Sequence, residues 1–428
     1  MDYSLQFTRM WNESTGSFPI GLQFFGTGEK KLKEIQFEHF YKELKAELNG
    51  SGRPVKPKVN DHLINLLSGF FKNIAGYPEN LIEVMFSEGM MDSTYSFIRT
   101  SREFDPEISF SDLFQAIRNV WIMNGLQFVM DRKVCLTPPI YAYSMLYPYT
   151  DNYLDDPSVS YQEKQEFCIR FGKRLKGETI QARNEQERKI FRMIELIETY
   201  WERERYPKVY QSLLGIHEAQ TRSTLLINKS GKLEFNDIFS ICVQKGGMSV
   251  VADGYLIFGD LSPEEEEFFY YYGAYLQLLD DLQDVGTDLS DSLMTAYSSV
   301  GQREKLDLWL NKTYYLGLKV MGHAERLNSA RVHVFKALMK QSIDLFLIGA
   351  VITNDQFFTK RFIREFESFS PVSFSFIRKK GRSLSADQNS LTEQVLKRMS
   401  FEDGLIPGSE VTAGSSEAGN NKRIIAGA

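Results

Sequence analysis

A helical spacing of apolar residues, which returns along most of the chain, constrains the fold more than any other feature. Apolar side chains recur three and four positions apart, the spacing of one helix face. Residues that alternate between apolar and polar, as in a strand, are scarce. The pattern therefore predicts an all-α protein, with helices over seven stretches: Asn60–Phe71, Asp112–Met130, Glu187–Tyr200, Lys208–Leu226, Glu264–Leu282, Lys305–Val320 and Ala330–Ile352.

The clearest helix start is the sequence Ser262-Pro263-Glu264-Glu265. Serine is a good N-cap, proline suits the first helical position because it lacks an N–H, and acids favour the first turn. We therefore expect a helix to begin at Pro263.

Length and charge limit the functional class. The chain has 428 residues, 43% of them hydrophobic, and carries a net charge of −6, so it can bury a large core and has no general attraction to nucleic acid. The three cysteines, Cys135, Cys168 and Cys242, lack metal-ligand spacing and are expected in the core of a protein from a reduced compartment. No signal peptide is indicated, and Val134–Thr150 is interrupted by prolines, so we expect a soluble, cytoplasmic protein.

Composition divides the chain into three parts. Residues 1–59 are mixed and end in a basic linker, which suits an N-terminal extension or helical cap. Residues 60–383 carry the helical periodicity and form the main α domain. Residues 384–428 are rich in serine, glycine and asparagine, and this composition predicts a disordered C-terminal tail.

The first of two acidic clusters is Asp151-Asn152-Tyr153-Leu154-Asp155-Asp156. On a helix, residues four apart share a face, so Asp151 and Asp155 stack and repel each other. A cation would offset this cost. Oxygen ligands without neighbouring cysteine or histidine favour Mg²⁺, which joins carboxylates to substrate phosphate.

The second cluster runs from Asp280 to Asp288, with Asp280, Asp284 and Asp288 on one helix face. Two facing clusters of this kind predict a diphosphate held between metal ions. The competing interpretation is that each acidic stripe is a solvated helix surface.

Large apolar residues continue the acidic faces. Tyr143 and Tyr147 precede Asp151 at helical spacing, and Tyr272 and Leu276 precede Asp280 in the same way. A solvated stripe is not usually prolonged by such side chains. We therefore expect these four residues to line a substrate cavity that is apolar below and anionic at its mouth.

Between the clusters, Val243–Tyr255 contains Gly246 and Gly247 inside a helical pattern, where each glycine costs about 1 kcal/mol relative to alanine. A break in the helix would place Gly246 and Gly247 at the substrate cavity and direct backbone dipoles at it. A close approach of another helix, packed through small residues, explains the pair equally well. Lys245 beside them is a candidate phosphate ligand.

With these residues in view, the chain resembles the class I isoprenoid synthases over residues 60–380, and it is most similar to the bacterial large-terpene synthases through KGGMSVVADGYL and DNYLDD. The resemblance implies a single large helical bundle around a central apolar cavity. It also implies a terpene synthase that uses Mg²⁺, three ions in the family, to ionise a linear prenyl diphosphate of C15 to C35, after which the carbocation cyclises or loses a proton.

Carried onto the first cluster, the resemblance makes Asp151 and Asp155 metal ligands and catalytic residues. Asn152 stands where the family usually has a second aspartate, and Asp156 would compensate.

In the second cluster, Asp280, Asp284 and Asp288 occupy the three ligand positions of the terpene synthases, with aspartate in all three. The same run, with Asp281, also fits the DDxxD motif of chain-elongating enzymes. Asp280 and Asp284 are thus implied as catalytic metal ligands in either case.

Three alternatives remain. Chain-elongating prenyltransferases usually carry Gly-Gly-Lys-Arg upstream of the first cluster, which is absent here. Head-to-head synthases of the squalene and phytoene type share a motif like Leu282–Asp288, but they continue into Gly-Arg-x-Tyr, which is also absent. A non-catalytic prenyl-binding or partner protein is the third. Both motif absences favour a one-substrate terpene synthase.

Diphosphate also needs cationic or hydrogen-bonding partners, for which Arg222 and Lys245 are the first candidates and His217 and Gln220 weaker ones. The Phe-rich basic stretch Phe357–Lys380 permits three interpretations: closure over the site, contact with a membrane surface, or a helix that docks its Phe side into the core. Monomer and homodimer both remain open.

Overall fold

Within the residues that the computed structural model describes, namely 3–49, 58–156, 158–227, 233–384 and 393–396, the regular elements are helical. One isolated bridge pairs Ile227 with Leu293. The α-helices are α1 (Tyr3–Asn12), α2 (Thr27–Asn49), α3 (Lys58–Phe70), α4 (Glu79–Met85), α5 (Glu88–Phe104), α6 (Phe110–Val129), α7 (Pro138–Asp155), α8 (Tyr161–Leu175), α9 (Glu185–Tyr200), α10 (Pro207–Ser223), α11 (Phe235–Phe258), α12 (Pro263–Gln283), α13 (Val285–Ser290), α14 (Ala296–Gly301), α15 (Asp307–His323), α16 (Val332–Thr353), α17 (Lys360–Glu367) and α18 (Phe374–Leu384).

The all-α prediction is confirmed, and each of the seven predicted stretches corresponds to a helix. Two of them change form at their C-terminal ends, where α3 continues into a π-helical turn, Phe71–Ala75, and α10 into a 3₁₀ turn, Thr224–Leu226. The predicted start of α12 is also confirmed. Ser262 Oγ accepts a hydrogen bond from the Glu265 backbone N–H, and the Glu265 carboxylate accepts one from the Ser262 N–H.

The two central helices, α11 and α12, pack against each other through glycines. A Cβ on Gly246 would lie 2.5 Å from the Gly273 carbonyl oxygen, and one on Gly273 would lie 2.2 Å from the Gly246 oxygen. A Cβ on Gly247 would lie 2.6 Å from the Tyr270 ring. The helix break considered at Gly246 and Gly247 is therefore wrong: α11 is continuous, and close approach of α12 explains both glycines.

The core lies around this pair. Helices α6 and α7 pack on α11, and α15 and α16 pack on α12. Large side chains that are almost wholly buried fill the space between them: Phe239, Phe268, Phe269, Tyr271, Tyr275 and Phe335. Both acidic clusters thus lie on helices that pack against α11.

The N-terminal part contributes to the main core through Phe7 and Trp11 of α1, which are buried against α11, α12 and α15. Most of the 384–428 tail lies outside the described residues. Its helical turn at 393–396 is described, and Leu396 is buried there.

The stretch Phe357–Lys380 docks its aromatic side into the core. Phe358, Phe362, Phe366 and Phe374 are all at most 5% exposed. Of the three interpretations, helix docking is confirmed. Among the described helices, none combines the length and the apolar character that a membrane crossing requires.

Candidate functional site

Both acidic clusters lie at the C-terminal end of a helix. α7 ends at Asp155 and α12 ends at Gln283, and neither helix carries a basic residue in its last turn. The carbonyl end of a helix is partially negative, so a carboxylate there is disfavoured by about 0.3–1 kcal/mol. A cation supplied by another helix or by solvent would therefore be stabilised at the C-terminal ends of α7 and α12.

In the first cluster, Asp151 is half-buried, and its Oδ1 accepts a hydrogen bond of 3.3 Å from Gln220 Nε2 on α10. Asn152 is exposed and donates from Nδ2 to Asp112 Oδ1 on α6, at 2.7 Å. The first cluster is therefore already connected to two neighbouring helices through polar side chains.

The other two acids of this cluster are placed differently. Asp156 follows α7, and its Oδ1 accepts hydrogen bonds from Ser158 N and Oγ at 2.8 and 2.6 Å, which hold the pKa of Asp156 below its usual value. Asp156 thus closes a local turn. Asp155 is the last residue of α7, and its side chain lies outside the described part of the structure.

The second cluster spans two helices. α12 ends before Asp284, which has φ −97° and ψ 11°, and α13 follows. Hydrogen bonds from Asp284 N to Asp280 O (2.9 Å) and from Asp288 N to Asp284 O (2.8 Å) keep the four-residue spacing across the junction. The expectation of one helix is corrected to two short-linked helices with the same register.

Two carboxyl groups of the second cluster lie deep in the protein. Asp281 is 3% exposed; its Oδ1 accepts a hydrogen bond from Gln277 Nε2 at 2.8 Å, and its Oδ2 has no partner among the described residues. Asp288 accepts a 2.7 Å hydrogen bond from Thr295 Oγ1. Burial raises the pKa of each group to about 7. A cation bound beside these carboxyls would lower both pKa values.

Arg118 of α6 supplies the positive charge nearest the second cluster. Its Nη2 lies 3.2 Å from Asp280 Oδ1. Loss of solvation and the charge of Asp280 raise the pKa of Asp284, and Arg118 partly opposes this. Sequence reasoning missed Arg118 and Asp112. The available signal was that Arg118 is the single basic residue in the mainly apolar helix Phe110–Val129.

Charges from both clusters influence the pKa of Tyr147. Burial raises the pKa of the Tyr147 phenol, and the charge of Lys245 opposes that effect. The charges of Asp151 and Asp280 both raise the same pKa. A carboxylate from each cluster and the Lys245 ammonium therefore act on one phenol, so α7, α11 and α12 bring these predicted site residues together.

The other predicted diphosphate ligands lie on α10. Arg222 is exposed, and its Nη1 donates to Gln244 Oε1 at 2.7 Å, next to Lys245. His217 packs edge-on against Phe171, with 5.2 Å between ring centroids, and burial lowers its pKa. Arg222 is thus held at the residue that precedes Lys245, whereas His217 lines the cavity wall with a lowered pKa.

A cavity of about 70 Å³ lies below Asp151, between α7, α8 and α10. Its wall includes two of the predicted cavity residues, Tyr143 and Tyr147, and Asp151 stands at its edge. The remaining lining is mainly apolar: Leu146, Leu154, Phe167, Phe171, Leu175, Leu213 and Ile216. Because one water needs about 10–15 Å³ on this scale, a prenyl chain can enter only if the walls move apart.

The other predicted cavity residues lie elsewhere. Tyr272 is buried and stacks on Phe268, with ring centroids 5.8 Å apart. Leu276 is half-buried against the core. Gly246 and Gly247 face α12. In this conformation these four residues do not line the cavity below Asp151.

The donor atoms at the clusters suit Mg²⁺. Among the described residues, no group of three or more Asp, Glu, His or Cys side chains is assembled tightly enough to hold a metal by itself. Mg²⁺ usually takes one or two carboxylates and completes its shell with water and substrate phosphate. Asp151, Asp280 and Asp288 fit that requirement, since they offer only oxygen ligands.

Comparison of the chain with known proteins leaves the family open. No protein-family model matches the sequence. No curated protein matches it either.

Proposed function

We propose that the protein is a Mg²⁺-dependent terpene synthase that ionises a linear prenyl diphosphate and lets the carbocation cyclise or lose a proton. The observation that carries the proposal is that Asp151 and Tyr147 lie together on the wall of an apolar cavity, where the charges of Asp280 and Lys245 also influence the pKa of Tyr147. Carboxylates on α7 and α12 with an ammonium on α11 suit a ligand that carries phosphate oxygens and brings metal ions with it.

Each side chain then has a task. The metal ions would be held by Asp151 and Asn152 on α7 and by Asp280, Asp284 and Asp288 along α12 and α13. When bound, Mg²⁺ supplies charge neutralisation of the diphosphate as its bond to carbon breaks.

Basic side chains stabilise the leaving group directly. Lys245, whose charge influences the pKa of Tyr147, offers a compact positive charge to the diphosphate. Arg222 can exchange its Gln244 hydrogen bond for a bidentate contact to phosphate.

The apolar wall below Asp151 receives the prenyl chain. The rings of Tyr143, Tyr147, Phe167 and Phe171 exclude water and present π faces to a carbocation, each worth about 0.5–2 kcal/mol. The small volume of the cavity implies that α8 or α10 moves outward when substrate binds.

The test is diphosphate release from prenyl diphosphates of C15 to C35, with and without Mg²⁺, followed by mass spectrometry of the organic extract. We expect Mg²⁺-dependent release and a terpene product, both lost in Asp151→Ala and in Asp280→Ala. The matched control is Glu264→Ala, which removes an exposed acid from the opposite end of α12, about 24 Å away at 1.5 Å per residue.

The outcomes separate the alternatives. Product that forms only when isopentenyl diphosphate is added would indicate chain elongation. Absence of turnover with every substrate, together with tight binding of prenyl diphosphate, would indicate a binding protein. Equal loss of activity in Glu264→Ala would show that the effect of the aspartate substitutions is not specific to the clusters.

A further inference from the structure

Helix α8 forms one wall of the cavity below Asp151, through Phe167, Cys168, Phe171 and Leu175. The cavity measures about 70 Å³, which is too small for a prenyl chain. At least one of its walls must therefore move before such a chain can enter, and the contacts of α8 differ between its two flanks.

One flank of α8 is tied to α9 by ion pairs. Arg170 donates to both carboxylate oxygens of Glu187, at 3.1 and 2.8 Å, and Arg174 donates to both oxygens of Glu198 at 2.6 Å. Arg170 and Arg174 are four residues apart and so share one side of α8. Bidentate pairs of this kind are the strong ones among charged hydrogen bonds, so this flank is held firmly.

The other flank of α8 meets α10 at His217. The imidazole packs edge-on against Phe171, with 5.2 Å between ring centroids. A Cβ on Gly172 would lie 3.0 Å from His217 Nε2 and 3.3 Å from its Cδ2, whereas ordinary contacts begin at 3.4 Å. The ring thus occupies space that is open only because residue 172 is glycine.

The backbone gives no other reason for this glycine. Gly172 lies inside α8, and its φ is not positive. Glycine is among the least favourable residues inside a helix. The space that it leaves for His217 accounts for its presence.

Helix α10 is the fixed side of this contact. A Cβ on Gly215 would lie 2.4 Å from Met248 Cε on α11, so α10 is closely packed on α11. Gln220 also ties α10 to Asp151 of α7, at 3.3 Å. The wall that can move without disturbing either contact is α8.

We propose that α8 is the movable wall through which a prenyl chain enters the cavity, with its ion pairs to α9 as the hinge and the His217 ring seated on Gly172 as the latch. The inference rests on the proposed function for the identity of the chain, and it adds the route by which the chain enters. When the latch opens, α8 turns about its α9 flank, and Cys168 and Phe171 move away from α10.

The native cysteines allow this motion to be measured. Cys168 lines the cavity and is 8% exposed, and burial raises the pKa of its thiol, so it reacts slowly while the wall is closed. Cys242 of α11 is 3% exposed and reports unfolding of the whole chain. The exposed Cys135 is removed by Cys135→Ser in the parent protein and in every variant.

The test is the rate at which N-ethylmaleimide modifies Cys168, followed by peptide mass spectrometry in the absence of metal and substrate. We expect Gly172→Ala and His217→Ala each to raise this rate at least about tenfold, because overpacking or loss of the ring destabilises the closed state by that factor or more. The better helix propensity of alanine cancels for Gly172→Ala, because α8 is helical in both states. The rate of Cys242 should not change.

Two controls accompany the measurement. Gly349→Ala adds the same methyl group inside α16 with nothing within 4 Å, and it should label Cys168 at the parent rate. Saturating farnesol, the probe for the chain, should slow the labelling of Cys168 in the parent protein and in Gly172→Ala, because a chain in the cavity covers the thiol.

The outcomes separate the latch from the proposed function. An unchanged Cys168 rate in Gly172→Ala would overturn the latch, as would a Cys242 rate that rises with it; the terpene synthase proposal, which rests on diphosphate release, would stand. A faster Cys168 rate that farnesol does not slow would overturn the entry role. Absence of diphosphate release, with Cys168 behaving as expected, would remove the ionisation step and retain α8 as the wall of a prenyl-binding cavity. If Gly172→Ala does not fold, by circular dichroism, His217→Ala decides the result.

Discussion

Substitution of Gly246 by alanine tests the close packing of α11 on α12. The added Cβ would lie 2.5 Å from the Gly273 carbonyl oxygen and 2.5 Å from Gln277 Cβ, whereas ordinary contacts begin at 3.4 Å. The helices must therefore separate locally by about 0.9 Å, and a gap of that size forfeits about a quarter to a half of each neighbouring dispersion contact.

The magnitude follows from two opposing effects. Overpacking costs about 1–3 kcal/mol, and the upper value applies because a backbone carbonyl cannot rotate away. Alanine is about 1 kcal/mol better than glycine inside a helix. We expect a net loss of about 2 kcal/mol. With an unfolding entropy of about 2.1 cal/mol/K per residue over 428 residues, Tm falls by about 2 °C.

Thermal unfolding followed by circular dichroism measures this effect, with Gly349→Ala as the matched control. Gly349 lies inside α16 with nothing within 4 Å of an added Cβ, so alanine there should raise Tm by about 1 °C. If Gly246→Ala raised Tm as Gly349→Ala does, the explanation of the glycine pair by close helix packing would be refuted.

Three further predictions concern charges and caps. Arg118→Gln should tighten Mg²⁺ binding by a factor of up to about five, because it removes a competing cation whose exposed ion pair with Asp280 is worth up to about 1 kcal/mol. The Mg²⁺ dependence of Tm measures this change, and weaker Mg²⁺ binding by the variant would contradict the prediction. Burial opposes the lowered pKa of Glu198, but the hydrogen bonds and charges of Arg174 and Arg203 together outweigh it. These ion pairs therefore stabilise the fold above the unfolded pKa of about 4.3 and less as pH falls. Glu198→Gln should thus cost about 1.5–3 kcal/mol at neutral pH and progressively less below about pH 4 in urea unfolding; a constant cost would exclude the ion pair as its cause. Ser262→Ala should cost about 1 kcal/mol in the same assay by removal of the α12 cap, and no loss would show that the cap is dispensable.

Local physics in the sequence was sufficient for seven of the eighteen described α-helices and for the start of one of them. The 3.6-residue spacing of apolar side chains located seven helices, and the capping chemistry at Ser262 located the start of α12. These features depend on residues within one or two turns of each other, and for that reason a single sequence reveals them.

The candidate site was only partly accessible in this way. Spacing predicted that Asp151 and Asp280 belong to two acidic stripes, each preceded by apolar residues, and Tyr143 and Tyr147 do line a cavity beside Asp151. Spacing could not place Tyr272, because its partner Phe335 comes from another helix.

Only the tertiary structure decided which distant groups meet. Arg118 reaches Asp280 across 162 positions of sequence, and Asn119 reaches Asp253 across 134. The same holds for Gly246, where a sequence can show that a side chain is missing but not that another backbone occupies its space. Local periodicity fixes the helix face on which a residue lies, whereas the packing of α6, α7, α11 and α12 fixes which residues that face contacts. The charge, burial and chemistry of the site all follow from this packing.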